Sequence, residues 1–225
     1  FTEIGDQHHD GPFRVLHQIG AGALGPVFRA YDPTDDRLVA IKLLRLDLPP
    51  ERVHQLVDEL EALIAARPRH ASIVSPLAAG MTGVQPFFAE EYAPGQSLDP
   101  SRWRRGSGCA AAVRRLTHQL AGALDSAASV GIEHGALHPR DVLVSDDEVR
   151  VTGLGIARAL ERIGVPAPVR RPYTAPERSA GAWDRRADVF SLAALAHELL
   201  WGRRVTGLGD TAAVALTELD GGNLS

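Results

Sequence analysis

The chain has 225 residues, 44% of them hydrophobic, which is enough for one substantial core or for two lobes that share a cleft. A formal net charge of −4 argues against a dedicated nucleic-acid or membrane-surface binder, because such proteins need a basic field. No apolar run reaches the roughly 20 residues that cross a bilayer. Cys109 is the only cysteine, which excludes an internal disulfide and fits a reducing compartment. We therefore expect a cytoplasmic chain that contacts neither membrane nor nucleic acid.

The first part of the chain predicts a β-meander with one helix. Runs of alternating apolar residues separated by turn residues predict strands at 13–20, 26–31, 37–46, 73–80 and 86–92. From Pro50 to the residue before Pro68, apolar residues recur every three or four positions, which predicts an amphipathic helix. Residues 93–97 have the composition of a hinge.

The second part predicts a mainly helical region. A long helix is expected at about 110–130, followed by a hairpin of residues 142–144 and 148–152. Residues 153–172 are expected to form an irregular loop. The helix predicted at 188–200 is apolar almost all round, which is typical of the middle of a domain. The tail is expected to hold at most one short helix, with Asp210 as its N-cap.

Lysine occurs once in the chain. Of the 24 basic residues, 23 are arginine and the remaining one is Lys42. A position that keeps lysine in such a chain indicates a need for a compact ammonium group, unless the lysine survives by chance. Lys42 is therefore a candidate site residue before any motif is considered.

Gly20, Gly22 and Gly25 fit the pattern G-x-G-x-x-G, which is weak evidence alone. A dinucleotide site would need a helix to begin at the third glycine. Residues 26–31 predict a strand instead, so the glycines lie in a hairpin whose backbone N–H groups can cover phosphates. An ordinary hairpin turn is the alternative.

Further motifs follow in a fixed order. Val39-Ala-Ile-Lys42 places the lysine on the third strand, and with it the chain resembles the protein kinases, specifically the bacterial eukaryotic-like (Hanks-type) Ser/Thr kinases. The resemblance runs from about Phe13 to Arg204. The remaining matching segments are the last strand and hinge (87–98), the catalytic loop (134–143), the A-P-E element (173–177) and the start of the central helix (186–192).

The resemblance implies an α+β, two-lobed protein-kinase fold. We expect a β-rich N-lobe with one long helix at residues 1–92, a hinge at 93–97, and a helical C-lobe at 98–225 that lacks the final helices of the family. Asp188 is implied to brace the catalytic loop.

The resemblance also implies a nucleotide site. Val27 and Ala40 would cover one side of an adenine ring and Leu143 the other, while Lys42 paired with Glu61 would meet the phosphates. That ion pair can alternatively be structural and need no nucleotide. The implied nucleotide-binding residues are Gly20, Gly22, Gly25, Val27, Ala40, Lys42, Glu61, Glu91 and Leu143. Glu90 stands at the back of this site, where a buried carboxylate is costly unless it is paired or protonated.

The chain departs from the family where the chemistry occurs. The family's catalytic loop is H-R-D-x-x-x-x-N, whose Asp accepts the substrate proton and whose Asn holds a metal. Here the loop keeps His134, but Gly135 and Ala136 replace the arginine and the aspartate, and Asp141 replaces the asparagine. The D-F-G metal motif is Gly153-Leu154-Gly155.

Two alternatives remain for this loop. A shifted register would use the Arg-Asp pair within residues 138–141, and Asp141 could act as a lone metal ligand. Residues 156–172 contain no Ser, Thr or Tyr, and Arg170 stands where the family places a threonine. Gly135 replaces the arginine that receives a phosphate in kinases switched by phosphorylation. A phosphorylation-independent kinase would explain that loop, but not Ala136 or Gly153.

We therefore predict a pseudokinase that binds ATP or ADP with weak or absent Mg²⁺ dependence and serves as a signalling scaffold or regulatory module for a protein partner. The alternatives are a divergent active Ser/Thr kinase that uses Asp141, and a nucleotide-free protein-binding domain.

Overall fold

A computed structural model of the chain describes residues 13–101, 109–146, 148–181 and 183–205. The strands in these ranges are β1 (Arg14–Ala21), β2 (Pro26–Asp32), β3 (Arg37–Leu43), β4 (Pro76–Thr82), β5 (Gln85–Glu91), β6 (Gln96–Ser97), β7 (Val142–Ser145) and β8 (Glu148–Val151). The α-helices are α1 (Pro50–Ala66), α2 (Cys109–Ser129), α3 (Ile156–Arg162) and α4 (Arg186–Trp201). None of these helices is both long and apolar enough to cross a membrane.

The described residues form two compact units. The first unit holds residues 13–68, 74–93 and 159–166, and the second holds the remaining described residues. The predicted lobe and hinge boundaries stay a prediction. The short helix expected in the tail, with its cap at Asp210, lies outside the described residues.

An antiparallel sheet and one long helix make up most of the first unit. The strand order is β1-β2-β3-β5-β4. A core cluster on this sheet contains Ala30, Val39, Ile41, Phe87 and Ala89. α1 packs on β4 and β5 and buries Val53, Leu56, Leu60 and Leu63, as the spacing in the sequence predicts. Pro50 begins this helix. At the first helical position a backbone N–H has no partner within the helix, so a proline, which has no N–H, costs no hydrogen bond there.

Two helices and a small sheet make up most of the second unit. The sheet has the order β6-β7-β8, and α2 packs on both α4 and β8. α4 buries nine of its 16 residues, but Val189 is 64% exposed, so the helix is not buried all round as its apolar composition predicts. The strand predicted at 73–80 is corrected: β4 begins at Pro76, because Ile73 instead forms an isolated bridge with Val151 in the second unit.

The segment predicted as an irregular loop at 153–172 contains α3, so that prediction is wrong for these residues. The helix is only seven residues long, and its second half lies in the first unit. There Arg162 Nη1 lies 2.8 Å from Glu59 Oε2, and Arg52 Nη1 donates to the Ile163 carbonyl at 2.6 Å. Residues 159–166 are thus fastened to α1, and this long-range packing supports a helix too short to be stable by its own propensity.

Candidate functional site

The glycine motif forms the turn between β1 and β2. Gly22 donates its N–H to the Gly25 carbonyl at 2.8 Å, which closes the turn. Gly25 has φ +149°, and a Cβ there would lie 2.2 Å from the Leu43 carbonyl oxygen, so no other residue fits. The chain continues into a strand at Pro26 and not into a helix. This geometry excludes the dinucleotide-binding arrangement.

The residues after the turn that are predicted to bind nucleotide lie on one face of the sheet. Val27 lies opposite Lys42, and Lys42 follows Ala40 by two residues along β3. Because opposite residues and residues two apart share a face of a sheet, these three side chains project from the same side. Glu90 lies opposite Ala40 on β5 and therefore belongs to that face as well.

Lys42 forms an ion pair with Glu90. Its Nζ lies 2.7 Å from Glu90 Oε2, with 18% of the lysine side chain and 2% of the glutamate side chain exposed. The two residues are diagonal neighbours on β3 and β5, which brings their side chains within reach. The buried carboxylate that the sequence singled out is therefore compensated by the only lysine.

The predicted Lys42–Glu61 pair is corrected. Glu61 is exposed on α1, and the described residues include no ion pair between it and Lys42. It follows Leu60, which is fully buried, and one residue rotates about 100° round a helix. Glu61 therefore points away from the buried stripe of α1.

The other residue predicted to bind nucleotide from the first unit, Glu91, ends β5. Its Oε1 accepts the N–H of Ser75 at 3.1 Å. Leu143 lies on β7 in the second unit, opposite Ser97 and Arg150. The predicted nucleotide residues are thus divided between the two units.

The predicted catalytic loop is braced by Asp188, as the sequence implies. The two carboxylate oxygens of Asp188 accept the N–H groups of His134 at 2.8 Å and of Gly135 at 2.6 Å. Burial raises the pKa of the Asp188 carboxyl, and these two backbone donors oppose that effect. These two hydrogen bonds fix the backbone of the loop. The residue after Gly135 is Ala136, which is 6% exposed.

Gly135 fits its place only as glycine. It has φ +69°, and a Cβ there would lie 2.2 Å from the indole ring of Trp183. That indole lies under the guanidinium groups of Arg158 and Arg178, at 3.7 Å and 4.6 Å from the ring centroid. Trp183 could not be predicted as a neighbour of Gly135, because no local sequence pattern places it against a residue so far away in the chain.

Asp141 ends a short 3₁₀ turn, Pro139–Asp141. Its Oδ2 lies 3.8 Å from His134 Nε2 and makes a close ion pair with Arg170 Nη1. His138 caps the turn, since its Nδ1 accepts the Arg140 N–H at 3.1 Å. Burial lowers the pKa of His138 to about 4, against the opposing charge of Asp141.

The Gly-Leu-Gly element turns sharply after β8. Gly153 and Gly155 both have φ +78°, and Gly155 donates its N–H to the Glu133 carbonyl at 3.0 Å. A divalent ion in a kinase is held by the D-F-G aspartate and the catalytic-loop asparagine. Here Gly153 has no side chain to offer and the carboxylate of Asp141 contacts Arg170. Within the ranges described, His, Cys, Asp and Glu form no cluster of three or more that fits a metal ion. The residues present therefore do not fit Mg²⁺.

A model of a known family matches almost the whole chain. The family is described as "Protein kinase domain", and the match covers residues 13–221. This chain belongs to the protein kinase domain family. The match confirms the resemblance found in the sequence, including the sheet-containing N-lobe and helical C-lobe of the α+β kinase fold.

The relatives of this kinase domain include bacterial Ser/Thr kinases. It is 29% identical to the serine/threonine-protein kinase PknL of Mycobacterium bovis over 94% of this chain and 54% of PknL. It is 33% identical to the serine/threonine-protein kinase PknK of the same organism over 84% of this chain and 18% of PknK. The chain thus spans about half of the length of PknL and less of PknK.

Solved structures show the same fold. The kinase domain of Mycobacterium tuberculosis PknI superposes with a TM-score of 0.68 at 24% identity, over 94% of this chain and 85% of that one. This likeness supports the fold alone. The departures at Ala136 and Gly153 thus occur within a kinase fold and not within an unrelated one.

Proposed function

We propose that this kinase domain is a pseudokinase that binds ATP or ADP weakly and acts as a signalling scaffold or regulatory module. One observation carries the proposal: the catalytic loop is held by both oxygens of Asp188 but presents the methyl group of Ala136 where the family has its catalytic aspartate. A methyl group accepts no proton. A positioned base contributes about 10²–10⁴ in rate.

The residues predicted to meet the nucleotide phosphates support weak binding of the nucleotide. The glycine turn and the face with Val27, Ala40 and Lys42 are retained. The Lys42 ammonium, however, already contacts the Glu90 carboxylate, so a phosphate must compete with a buried charge for it. Each nucleotide-bound molecule must therefore break or share this ion pair.

A thermal-shift titration tests the proposal. Bound ligand raises stability by RT ln(1 + [L]/Kd), so ATP and ADP should each raise the melting temperature, and EDTA should not abolish the rise. Inorganic tripolyphosphate is the matched control, because it carries the charge of the nucleotide without its adenine. A rise with tripolyphosphate equal to that with ATP, or no rise with either nucleotide, contradicts nucleotide binding.

A nucleotide-free protein-binding domain is the second candidate, and the Lys42–Glu90 pair favours it. If this pair closes the phosphate site, the melting temperature of the wild-type chain should not respond to ATP. That of Glu90→Met should respond, because the Glu90 carboxylate no longer competes with phosphate for Lys42. Response by the wild-type chain supports the first candidate. The protein partner and a cytoplasmic location, which the single cysteine and the lack of a basic field support, belong to the proposal in both cases.

A further inference from the structure

The guanidinium group of Arg170 lies against the catalytic loop. Arg170 Nη1 contacts Asp141 Oδ2, and the two side chains are 19% and 14% exposed. Asp141 stands where the family places its metal-holding asparagine. Both residues belong to the second unit.

The backbone at Arg170 is firmly positioned. Its N–H donates to Thr174 Oγ1 at 2.7 Å, and its carbonyl accepts the N–H groups of Tyr173 and Thr174 at 3.0 Å and 3.2 Å. The Tyr173 carbonyl in turn accepts the hydroxyl of Ser191, on α4, at 2.7 Å. The Tyr173 hydroxyl donates to the buried Glu198 of the same helix. The turn that presents Arg170 is therefore anchored to the central helix.

The neighbouring imidazole of His138 does not supply the positive charge beside Asp141. His138 is neutral at pH 7, since burial lowers its pKa to about 4. The cation that contacts Asp141 is therefore the guanidinium group of Arg170.

We propose that Arg170 is the resident cation of this loop and takes the place of the divalent metal at Asp141. A guanidinium neutralises the carboxylate permanently, whereas Gly153 offers a metal no second ligand. The wild-type loop is then charge-balanced without Mg²⁺, and Asp141 becomes accessible to a divalent ion only when Arg170 is removed.

The first test needs no nucleotide. Melting temperatures are measured in EDTA and in Mn²⁺, at matched ionic strength, for the wild type, Arg170→Met, Arg170→Met with Asp141→Asn, and the control Arg171→Met. Arg171 is the exposed neighbour in the same turn.

In EDTA, Arg170→Met should melt at a lower temperature than Arg171→Met. With Mn²⁺ at roughly ten times its Kd, Arg170→Met should gain about 3–6 °C. The wild type, the control and the double variant should gain nothing.

Two results would overturn the proposal. One is a Mn²⁺ gain in the wild type that Asp141→Asn removes, because the metal position would then be open. The other is an Arg170→Met variant that gains no more than the double variant. If Arg170→Met does not fold, Arg170→Gln, which keeps a polar but shorter and uncharged side chain, is measured in the same way and decides between the same outcomes.

A second test uses ADP and rests on the proposed function. The ADP-induced rise in melting temperature should be the same in EDTA and in Mg²⁺ for the wild type, and should become larger in Mg²⁺ for Arg170→Met. A wild-type rise that requires Mg²⁺ contradicts the resident cation. If the wild type shows no rise with ADP, the proposed nucleotide binding fails, and the Mn²⁺ measurement still decides the role of Arg170.

Discussion

The Lys42–Glu90 pair determines how substitutions at either residue will behave. A carboxylate that is 2% exposed is stable as an anion only beside a cation, and Lys42 Nζ is that cation at 2.7 Å. Replacement of the lysine, a common way to disable a kinase, therefore also leaves a buried charge without this compensation. Loss of nucleotide binding in such a variant would not by itself identify a phosphate contact.

A double-mutant cycle measures this pair. We expect Lys42→Met to lower the free energy of unfolding by about 3 kcal/mol, because it removes the cation that lies 2.7 Å from a buried carboxylate. The double variant Lys42→Met, Glu90→Met should recover to within about 1 kcal/mol of the wild type, since two apolar side chains then pack together. Urea denaturation at pH 7 gives each value. Strict additivity of the two single effects would show that the residues do not interact.

Gly135 and Trp183 allow a second residue-level prediction. Gly135→Ala combines a positive φ with a collision with the indole, and we expect it to destabilise by about 3 kcal/mol. Gly131→Ala is the matched control, because it has φ +76° but nothing within 4 Å of its new Cβ. The control should lose only about 1 kcal/mol. Equal losses in chemical denaturation would mean that Trp183 does not occupy this space.

Some of these residue contacts were accessible from the sequence and others were not. The helix periodicity that predicts the buried stripe of α1 also places Glu61 outside that stripe, so the predicted Lys42–Glu61 pair disagrees with the periodicity of its own segment. The Lys42–Glu90 pair depends on β3 and β5 being neighbours, although α1 and β4 separate them in the chain. No local pattern contains that information. The sequence indicated only that Glu90 needed a partner.

At the scale of elements, the 3₁₀ turn Pro139–Asp141 depends on the uncharged imidazole of His138. His138 caps the turn through Nδ1, and burial lowers its pKa from the ordinary value of 6.5 to about 4. Between these two values the unfolded chain binds more protons than the native state. Stability contributed by the neutral ring is therefore present above pH 6.5 and is lost as the pH falls towards 4.

His138→Asn tests this pH dependence. Asparagine retains a side-chain acceptor for the turn but does not titrate. We expect the wild type to lose stability relative to the variant between pH 6.5 and pH 4, by on the order of 1 kcal/mol once solvent screening of the half-buried ring is allowed for. Urea unfolding at a series of pH values measures the difference. Parallel curves for the two proteins would contradict the depressed pKa.

The long elements were predictable, and the short ones were not. α1, α2 and α4 have enough turns for the apolar period to show in the sequence. α3 has seven residues between glycines and prolines, too few for the period to be recognised. Its position depends on Arg52, Glu59 and Arg162, whose contacts join parts of the chain more than 100 residues apart. The packing of this helix on α1 could therefore not be predicted from the sequence of the segment itself.

At the scale of the whole molecule, the kinase fold was predictable because several motifs occur in the family's order. A single G-x-G-x-x-G is ambiguous, but the lysine strand, catalytic loop, A-P-E element and central-helix aspartate restrict the chain to one fold. The same motifs reveal what is missing, because Ala136 and Gly153 stand at defined positions in them. The contacts of Trp183 and Arg170, by contrast, are visible only in the structure.

Transfer of labelled γ-phosphate tests the central claim most directly. The chain, in excess over ATP, is incubated with Mg²⁺ or Mn²⁺ and with Ser- and Thr-containing peptides, and label is followed on both the peptides and the chain itself. The wild type should transfer no more label than Asp141→Asn, because no side chain replaces the base lost at Ala136. Efficient labelling by the wild type that Asp141→Asn abolishes would show that Asp141 performs the chemistry, and the chain would then be an active kinase.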